Sequence, residues 1–167
     1  MTGRIQILLI GHNDNGCLDA HREVAHEVGR LVAGRGAVLV TGGMGGVMEA
    51  ASMGAREAGG ISVGIIPQND AAAANPYCDI VVPTGMGLMR DFVNVHAAHG
   101  IIIVGGGVGT LSEMCAAYMY RKPMVAIRGT GGMADRYAGT CMDHRRSMVV
   151  EAAGSAAEAV KRIFEII

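Results

Sequence analysis

A glycine-rich turn followed by a threonine and a glutamate is the segment of this sequence with the strongest chemical character. It runs from Gly105 to Glu113 and reads GGGVGTLSE. Glycine has no Cβ, so its backbone amide can approach a phosphate oxygen closely. A helix that begins near the end of this turn directs unpaired N–H groups and the positive end of its dipole at an anion. The residues predicted to bind phosphate are Gly106, Gly107, Gly109 and Thr110.

Glu113 allows two interpretations from spacing alone. An acid near a helix N-terminus interacts favourably with the dipole and can complete a capping box with Thr110. In the second interpretation the Glu113 carboxylate acts on the bound ligand.

Three further glycine clusters also follow apolar runs. They are GHNDNG at 11–16, GGMGG at 42–46 and RGTGG at 128–132. Each cluster could simply form a tight turn, but turn geometry does not require glycine at every such joint. We therefore predict a shared ligand site, whose further residues are Gly11, His12, Gly42, Gly43, Gly45, Thr130 and Gly131. The sequence lacks GxxxxGK[ST], and its first joint lacks GxGxxG, which disfavours a phosphate-cleaving NTPase and a standard dinucleotide site.

Strand-like and helix-like segments alternate along the chain. The apolar runs are 5–10, 37–40, 61–66, 79–82, 101–104 and 124–127, and the helical patterns are 19–33, 47–58, 88–99, 110–121 and 155–167. Such alternation predicts an α/β fold of the Rossmann-like, doubly wound type, with a mostly parallel sheet of six to seven strands and helices on both faces. Segments 67–77 and 129–143 are predicted to be irregular loops.

The bulk composition limits the class of protein. A length of 167 residues suits one domain, 1–167, and the net charge of −1 gives little support for nucleic-acid binding. The apolar runs are too short to cross a membrane. Four scattered cysteines favour reduced thiols in the cytoplasm over a zinc site or disulfides. His96 and His99 lie three apart without an evident third ligand, so no metal site is predicted.

The motifs resemble those of one known family. GGGVGTLSE resembles the PGGxGTxxE signature of the LONELY GUY-like (LOG) phosphoribohydrolases, once called putative lysine decarboxylases, and TGGMGGVMEA resembles their earlier glycine motif. The resemblance extends over nearly the whole chain. The segment RGTGG with Asp135 and Arg136 is similar to a short bacterial and archaeal branch that includes molybdenum-cofactor carrier proteins.

This resemblance implies an activity and two catalytic residues. Glu113 and Arg90 would act on the N-glycosidic bond of a nucleoside 5′-monophosphate, releasing free base and ribose 5-phosphate with no required cofactor. A carboxylate can stabilise an oxocarbenium-like sugar or activate water. Arg90 could hold phosphate or base through a forked hydrogen bond, and the alternative is that it forms a surface ion pair with Asp91 or another acid.

Two alternatives of a different class remain open. The protein could carry molybdenum cofactor or a related phosphorylated pterin without turnover, which the short length and the RGTGG loop favour. It could also be a sensor whose ligand occupancy alters its contacts with a partner.

The chain also departs from the family pattern at Gly105, at Asp91 and over 86–89. The resemblance further implies a homodimer or larger homo-oligomer, with the helix after Gly109 near the interface through Met114, Ala117, Tyr118 and Arg121.

Overall fold

The computed structural model describes residues 3–167, which form a sheet of eight strands with six α-helices. The strands are β1 Gln6–Gly11, β2 Val38–Thr41, β3 Ile61–Ile66, β4 Ile80–Pro83, β5 Gly100–Val104, β6 Met124–Ile127, β7 Thr140–Cys141 and β8 Val149–Ala153. The helices are α1 Asp19–Gly34, α2 Val47–Glu57, α3 Arg90–Ala97, α4 Val108–Met119, α5 Gly132–Tyr137 and α6 Ala156–Ile166. In this part of the chain, none of the helices has the length and hydropathy needed to span a membrane.

The sheet is mostly parallel, as predicted, but it has more strands than predicted. Its order is β4-β3-β2-β1-β5-β6-β8-β7, and only the edge strand β7 is antiparallel to its neighbour. The prediction of six to seven strands missed β7, which is two residues long, and β8, whose sequence VVEAA contains a charge and two alanines. Helix α5, six residues long, lies within the segment expected to be irregular. Elements this short carry too few residues to show a period.

Helices cover both faces of the sheet because alternate strand residues point to opposite sides. On one face, β1 residues Ile7 and Leu9 pack with α1, α2 and α6. On the other face, Leu8 and Ile10 pack with α3, α4 and α5. All four side chains are buried, which explains why these strands read as continuous apolar runs.

The order of the strands places a crevice beside β1. The chain builds outward from β1 through β4, then returns to the other side of β1 to form β5. Gly11, the last residue of β1, pairs with Val104, the last residue of β5. In open α/β sheets, ligands bind outside the carboxyl ends of the strands at such a reversal point.

Two helix starts differ by two residues from the predicted ones. The segment predicted as one helix from residue 88 begins instead in a 3-10 turn, Gly87–Met89, whose first residue has a φ of 56°. Helix α3 then starts at Arg90. Helix α4 starts at Val108, two residues earlier than predicted.

The face of α4 predicted to meet a partner is instead part of the protein's own core. Met114, Ala117 and Tyr118 are at most 5% exposed and pack with β5 and β6 residues. The exposed apolar residues of α4 are Val108 and Met119, on another face. The apolar stripe of α4 therefore packs against the protein's own sheet. The sequence pattern alone could not distinguish this packing from contact with a partner.

Candidate functional site

Two adjoining cavities lie at the carboxyl ends of β1 and β5. The carboxylate cavity, of about 200 Å³, is lined by Arg90, Asp91 and Glu113 together with apolar residues. The turn cavity, of about 280 Å³, is lined by His12, Asn15 and Gly107. Both are also lined by Gly11, Asn13, Gly109 and Thr110. One ligand can therefore extend from the turn to the carboxylates.

The turn from Gly105 to Thr110 is held by hydrogen bonds to the β6–α5 segment on one side, and its amides are unpaired on the other. The Gly105 amide donates to Thr130 Oγ1 at 2.9 Å, and Thr130 in turn donates to the Ile127 carbonyl at 2.6 Å. The carbonyls of Gly105 and Gly106 accept hydrogen bonds from the first helical residues of α5. Within residues 3–167, the amides from Gly106 through Thr110 have no hydrogen-bond acceptor. They are the donors that an anion at the α4 N-terminus would use.

The glycine loops after β2 and β6 are closed by carboxylates of the protein itself. Asp14 accepts a hydrogen bond from the Gly46 amide at 2.9 Å and pairs with Arg22 at 2.8 Å. Asp135 accepts from the amides of Gly129 at 2.7 Å and Gly131 at 2.9 Å. These two loops already hold an anionic group, whereas the turn before α4 does not.

The predicted glycines fall into two groups by what surrounds them. A Cβ at Gly11, Gly42, Gly43, Gly45 or Gly106 would collide with protein atoms. At Gly42 it would meet the Arg90 guanidinium, so this glycine makes room for the arginine. Gly107 and Gly109 have no such neighbour within 4 Å and face open space. They are the glycines of the turn best placed to meet a ligand.

Glu113 is buried and held by α3. The side-chain amide of Asn94 donates to Glu113 Oε1 at 2.9 Å, and Arg90 Nη1 lies 3.9 Å from the same oxygen. The capping interpretation is wrong, because the N-cap of α4 is Gly107 and has no side-chain cap. The pKa of Glu113 is raised from 4.5 to about 7, and burial is the largest cause. Asp91 also raises this pKa, whereas the Asn94 hydrogen bond and Arg90 lower it.

Arg90 lies between two carboxylates. Its Nε is 3.6 Å from Asp91 Oδ1, and Asp91 Oδ2 accepts a 2.5 Å hydrogen bond from Ser112 at the start of α4. The Arg90 and Asp91 side chains are only 14% and 9% exposed. The pair with Asp91 therefore exists, but it is not the surface pair of the alternative interpretation. It fixes the guanidinium at the wall of the cavity.

His12 closes the opposite side of the turn cavity. Its ring stacks on His21, with centroids 5.0 Å apart, and packs against Gly105. Burial and the neighbouring His21 lower the pKa of His12 below 6.5. This shift favours the neutral imidazole, which can donate a hydrogen bond to a ligand at one ring nitrogen and accept one at the other.

The structure brings eight of the predicted site residues to the two cavities, whereas five line neither cavity: Gly43, Gly45, Gly106, Thr130 and Gly131. Thr130 lies behind the turn, and Gly131 is an exposed residue whose amide is bound to Asp135. Sequence reasoning missed Asn94, although its position four residues after Arg90 on one helix would have placed both on the same face. It also missed the apolar wall of the carboxylate cavity, formed by Met44, Met48 and Leu88.

The two histidines considered as metal ligands have other contacts. His99 Nδ1 accepts a hydrogen bond from the Gln6 amide at 3.1 Å, and the His96 ring packs on Tyr120 with centroids 4.1 Å apart. Among the residues described, no group of three or more His, Cys, Asp or Glu side chains is arranged to hold a metal ion.

A doubly wound sheet whose reversal point carries an open glycine turn beside a buried arginine–glutamate pair defines a Rossmann-like protein of the LOG type. The comparison with family models agrees with this class. The chain belongs to the SLOG cluster4 family, whose family model matches residues 4–160. The resemblance and the fold class that the sequence predicted are thus confirmed.

Relatives of the chain have two kinds of described function. An uncharacterized protein of Archaeoglobus fulgidus is 39% identical over 74% of this chain and 80% of its own length. A cytokinin riboside 5′-monophosphate phosphoribohydrolase of Mycobacterium tuberculosis is 36% identical over 63% of this chain and 61% of the enzyme. The molybdenum cofactor binding protein of Rippkaea orientalis is 29% identical, with a TM-score of 0.88 over 99% of both chains.

Proposed function

We propose that this protein binds a nucleoside 5′-monophosphate at the reversal point and hydrolyses its N-glycosidic bond. The observation that carries the proposal is that the two cavities adjoin and share the lining residues Gly109 and Thr110. The free amides of the turn suit a phosphate in the turn cavity. The sugar carbon would then lie in the carboxylate cavity, next to the buried Glu113.

The chemistry follows from where charge develops. As the C–N bond breaks, the base leaves with the bonding electron pair and takes up a proton, and positive charge builds on the sugar. The Glu113 carboxylate can stabilise that charge or remove a proton from the water that adds to the sugar carbon. Only the ionised carboxylate does either, so the rate should rise with pH through the Glu113 pKa of about 7.

A carrier of molybdenum cofactor or a related phosphorylated pterin, without turnover, is the second candidate. Its specific support is the Rippkaea orientalis protein, which matches this chain over almost its full length. The same free amides would bind the phosphate of such a cargo, and the apolar wall of Met44, Met48 and Leu88 would suit a flat ring system. No required cofactor is proposed for either function.

Incubation with purine and pyrimidine nucleoside monophosphates separates the two functions. Free base is measured by chromatography and ligand binding by calorimetry, for the native protein and for Glu113→Gln. Base release that Glu113→Gln abolishes while binding persists supports hydrolysis. If tight binding is accompanied by no base release, and Glu113→Gln leaves that binding unchanged, hydrolysis is excluded and the carrier function is favoured.

We also propose that the protein is a cytoplasmic homodimer. All four cysteines are free, which supports a reducing compartment. Six exposed apolar residues lie on α3 and α4 or directly next to them, and we call them the α3–α4 patch: Leu88, Met89, Phe92, Val108, Met119 and Tyr120. Leu88 is 83% and Val108 79% exposed, which supports covering by a second copy.

A further inference from the structure

Asn94 is a fully buried side chain whose hydrogen bonding is incomplete. Its Nδ2 donates to Glu113 Oε1 at 2.9 Å, while its Oδ1 is buried and has no donor within the described residues. A buried acceptor without a donor lowers the stability of a fold. An apolar side chain of similar size would avoid this cost, so packing alone does not explain an asparagine here.

The geometry of α3 explains what the asparagine does. Arg90 and Asn94 are four residues apart and project from the same face of the helix. Both approach Oε1 of Glu113. Within residues 3–167, Glu113 Oε2 has no hydrogen-bond partner, and Glu113 lines the carboxylate cavity. One carboxylate oxygen is thus held by the protein, and the other is left for the ligand.

We propose that Asn94 is a positioning residue for Glu113, whose amide holds Oε1 so that Glu113 presents Oε2 to the ligand as a charged carboxylate. The proposal rests on the proposed function only in taking Glu113 as the group that acts on the ligand. Asn94 lies outside the pair formed by Arg90 and Glu113.

The surroundings of Glu113 leave few other groups that could keep it ionised. Arg90 and Asp91 are the charged residues that face it from α3, and they act in opposite directions. On the β1 and α2 sides, the cavity wall consists of Leu9, Ile10 and Met48, which carry no charge. Burial raises the pKa of Glu113, and the Asn94 hydrogen bond is the largest influence that lowers it. Without that bond, the neutral form should persist to higher pH.

The test is a carboxyl titration that needs neither ligand nor turnover. In the full chain labelled with ¹³C at the glutamate carboxyl, the Glu113 signal is assigned from its loss in Glu113→Gln and followed from pH 4 to 10. The midpoint in the native protein is expected near 7. In Asn94→Leu it should move up by about one pH unit, the size expected for losing a hydrogen bond to a charged group.

Two further variants make the result decisive. Val95→Ala opens space on the same helix in the core without removing a polar or charged contact of Glu113, and should lower the melting temperature without moving the midpoint. Asn94→Ser, which is too short to reach Oε1, replaces Asn94→Leu if the leucine variant does not fold. An unchanged midpoint in a folded Asn94 variant overturns the proposal. If the midpoint shifts but the native protein releases no base, the positioning role of Asn94 stands and only the proposed hydrolysis is rejected.

Discussion

At the scale of single residues, the charge of Glu113 links stability to pH. Its pKa is raised from 4.5 to about 7, so between these values the folded protein holds a proton that the unfolded chain has released. The free energy of unfolding should therefore fall as pH rises through this range. The interval corresponds to roughly 3 kcal/mol at most.

Glu113→Gln should remove this dependence, because glutamine accepts the Asn94 hydrogen bond without carrying a charge. The variant should be more stable than the native protein at pH 8, by about 1 to 3 kcal/mol, and the difference should shrink toward pH 5. Denaturant unfolding at several pH values measures it. Glu23→Gln is the control, since Glu23 is exposed in the folded protein. A difference that stays constant from pH 5 to 8 would contradict the buried, charged state of Glu113.

Gly109 offers a substitution that separates ligand binding from folding. A methyl group there meets no protein atom within 4 Å, yet Gly109 lines both cavities. Gly109→Ala should raise stability by up to about 1 kcal/mol, because alanine favours a helix over glycine. It should weaken binding of a nucleoside monophosphate at least about tenfold, roughly 1.4 kcal/mol, by intruding on the phosphate.

Calorimetric titration and thermal unfolding measure these two effects on the same samples. Gly34→Ala at the end of α1 is the matched control, since its added methyl also meets no protein atom. It should stabilise the protein and leave ligand affinity unchanged. Equal affinities for Gly109→Ala and Gly34→Ala would show that the phosphate binds elsewhere.

At the scale of elements, α5 supports the turn from behind. Asp135 closes the loop that precedes α5, and the first residues of α5 donate to the carbonyls of Gly105 and Gly106. Asp135→Ala should lower stability by about 1 kcal/mol, the usual effect of losing a side-chain acceptor for helix-terminal amides. The loss of ligand affinity should be smaller than in Gly109→Ala, because the free amides of the turn remain.

Thermal unfolding and the same binding titration check this expectation. Asp14→Ala provides a comparison at the other closed loop, where the Gly46 amide would lose its acceptor. If phosphate bound at the loops after β2 or β6, these variants would instead bind it more tightly, since each exposes the amides that a carboxylate now occupies.

At the scale of the whole molecule, we expect the proposed dimer to form through the α3–α4 patch. Met119 is 62% exposed on this patch, and a charge there would be desolvated by a second copy. Met119→Glu should convert the dimer to a monomer, as measured by light scattering. Ile80→Asp, at a half-exposed position of the edge strand β4, should leave the dimer intact. A monomeric native protein would refute the proposed dimer.

The sequence determined the succession of strands and helices and the position of the glycine joints. Both are local properties: β-branched runs form buried strands, and glycine accepts the backbone shapes that follow them. Parallel pairing then brings the carboxyl ends of the strands to one edge, so the general location of the site also followed. The very short β7, the β8 strand with its charge and two alanines, and the six-residue α5 are too short or too irregular in pattern for a period to reveal them.

Only the tertiary structure decided which glycine joint is open and what holds Glu113. Asp14 is 32 residues from Gly46, and Asn94 is 19 residues from Glu113, so no local pattern pairs them. Their contacts arise from packing α1 beside α2 and α3 beside α4. Because a carboxylate closes a loop only when folding brings it there, the sequence could name the glycines but not the role of Asp14 and Asp135. Within residues 3–167, these two carboxylates bind amides at two of the joints, while the amides from Gly106 through Thr110 have no acceptor.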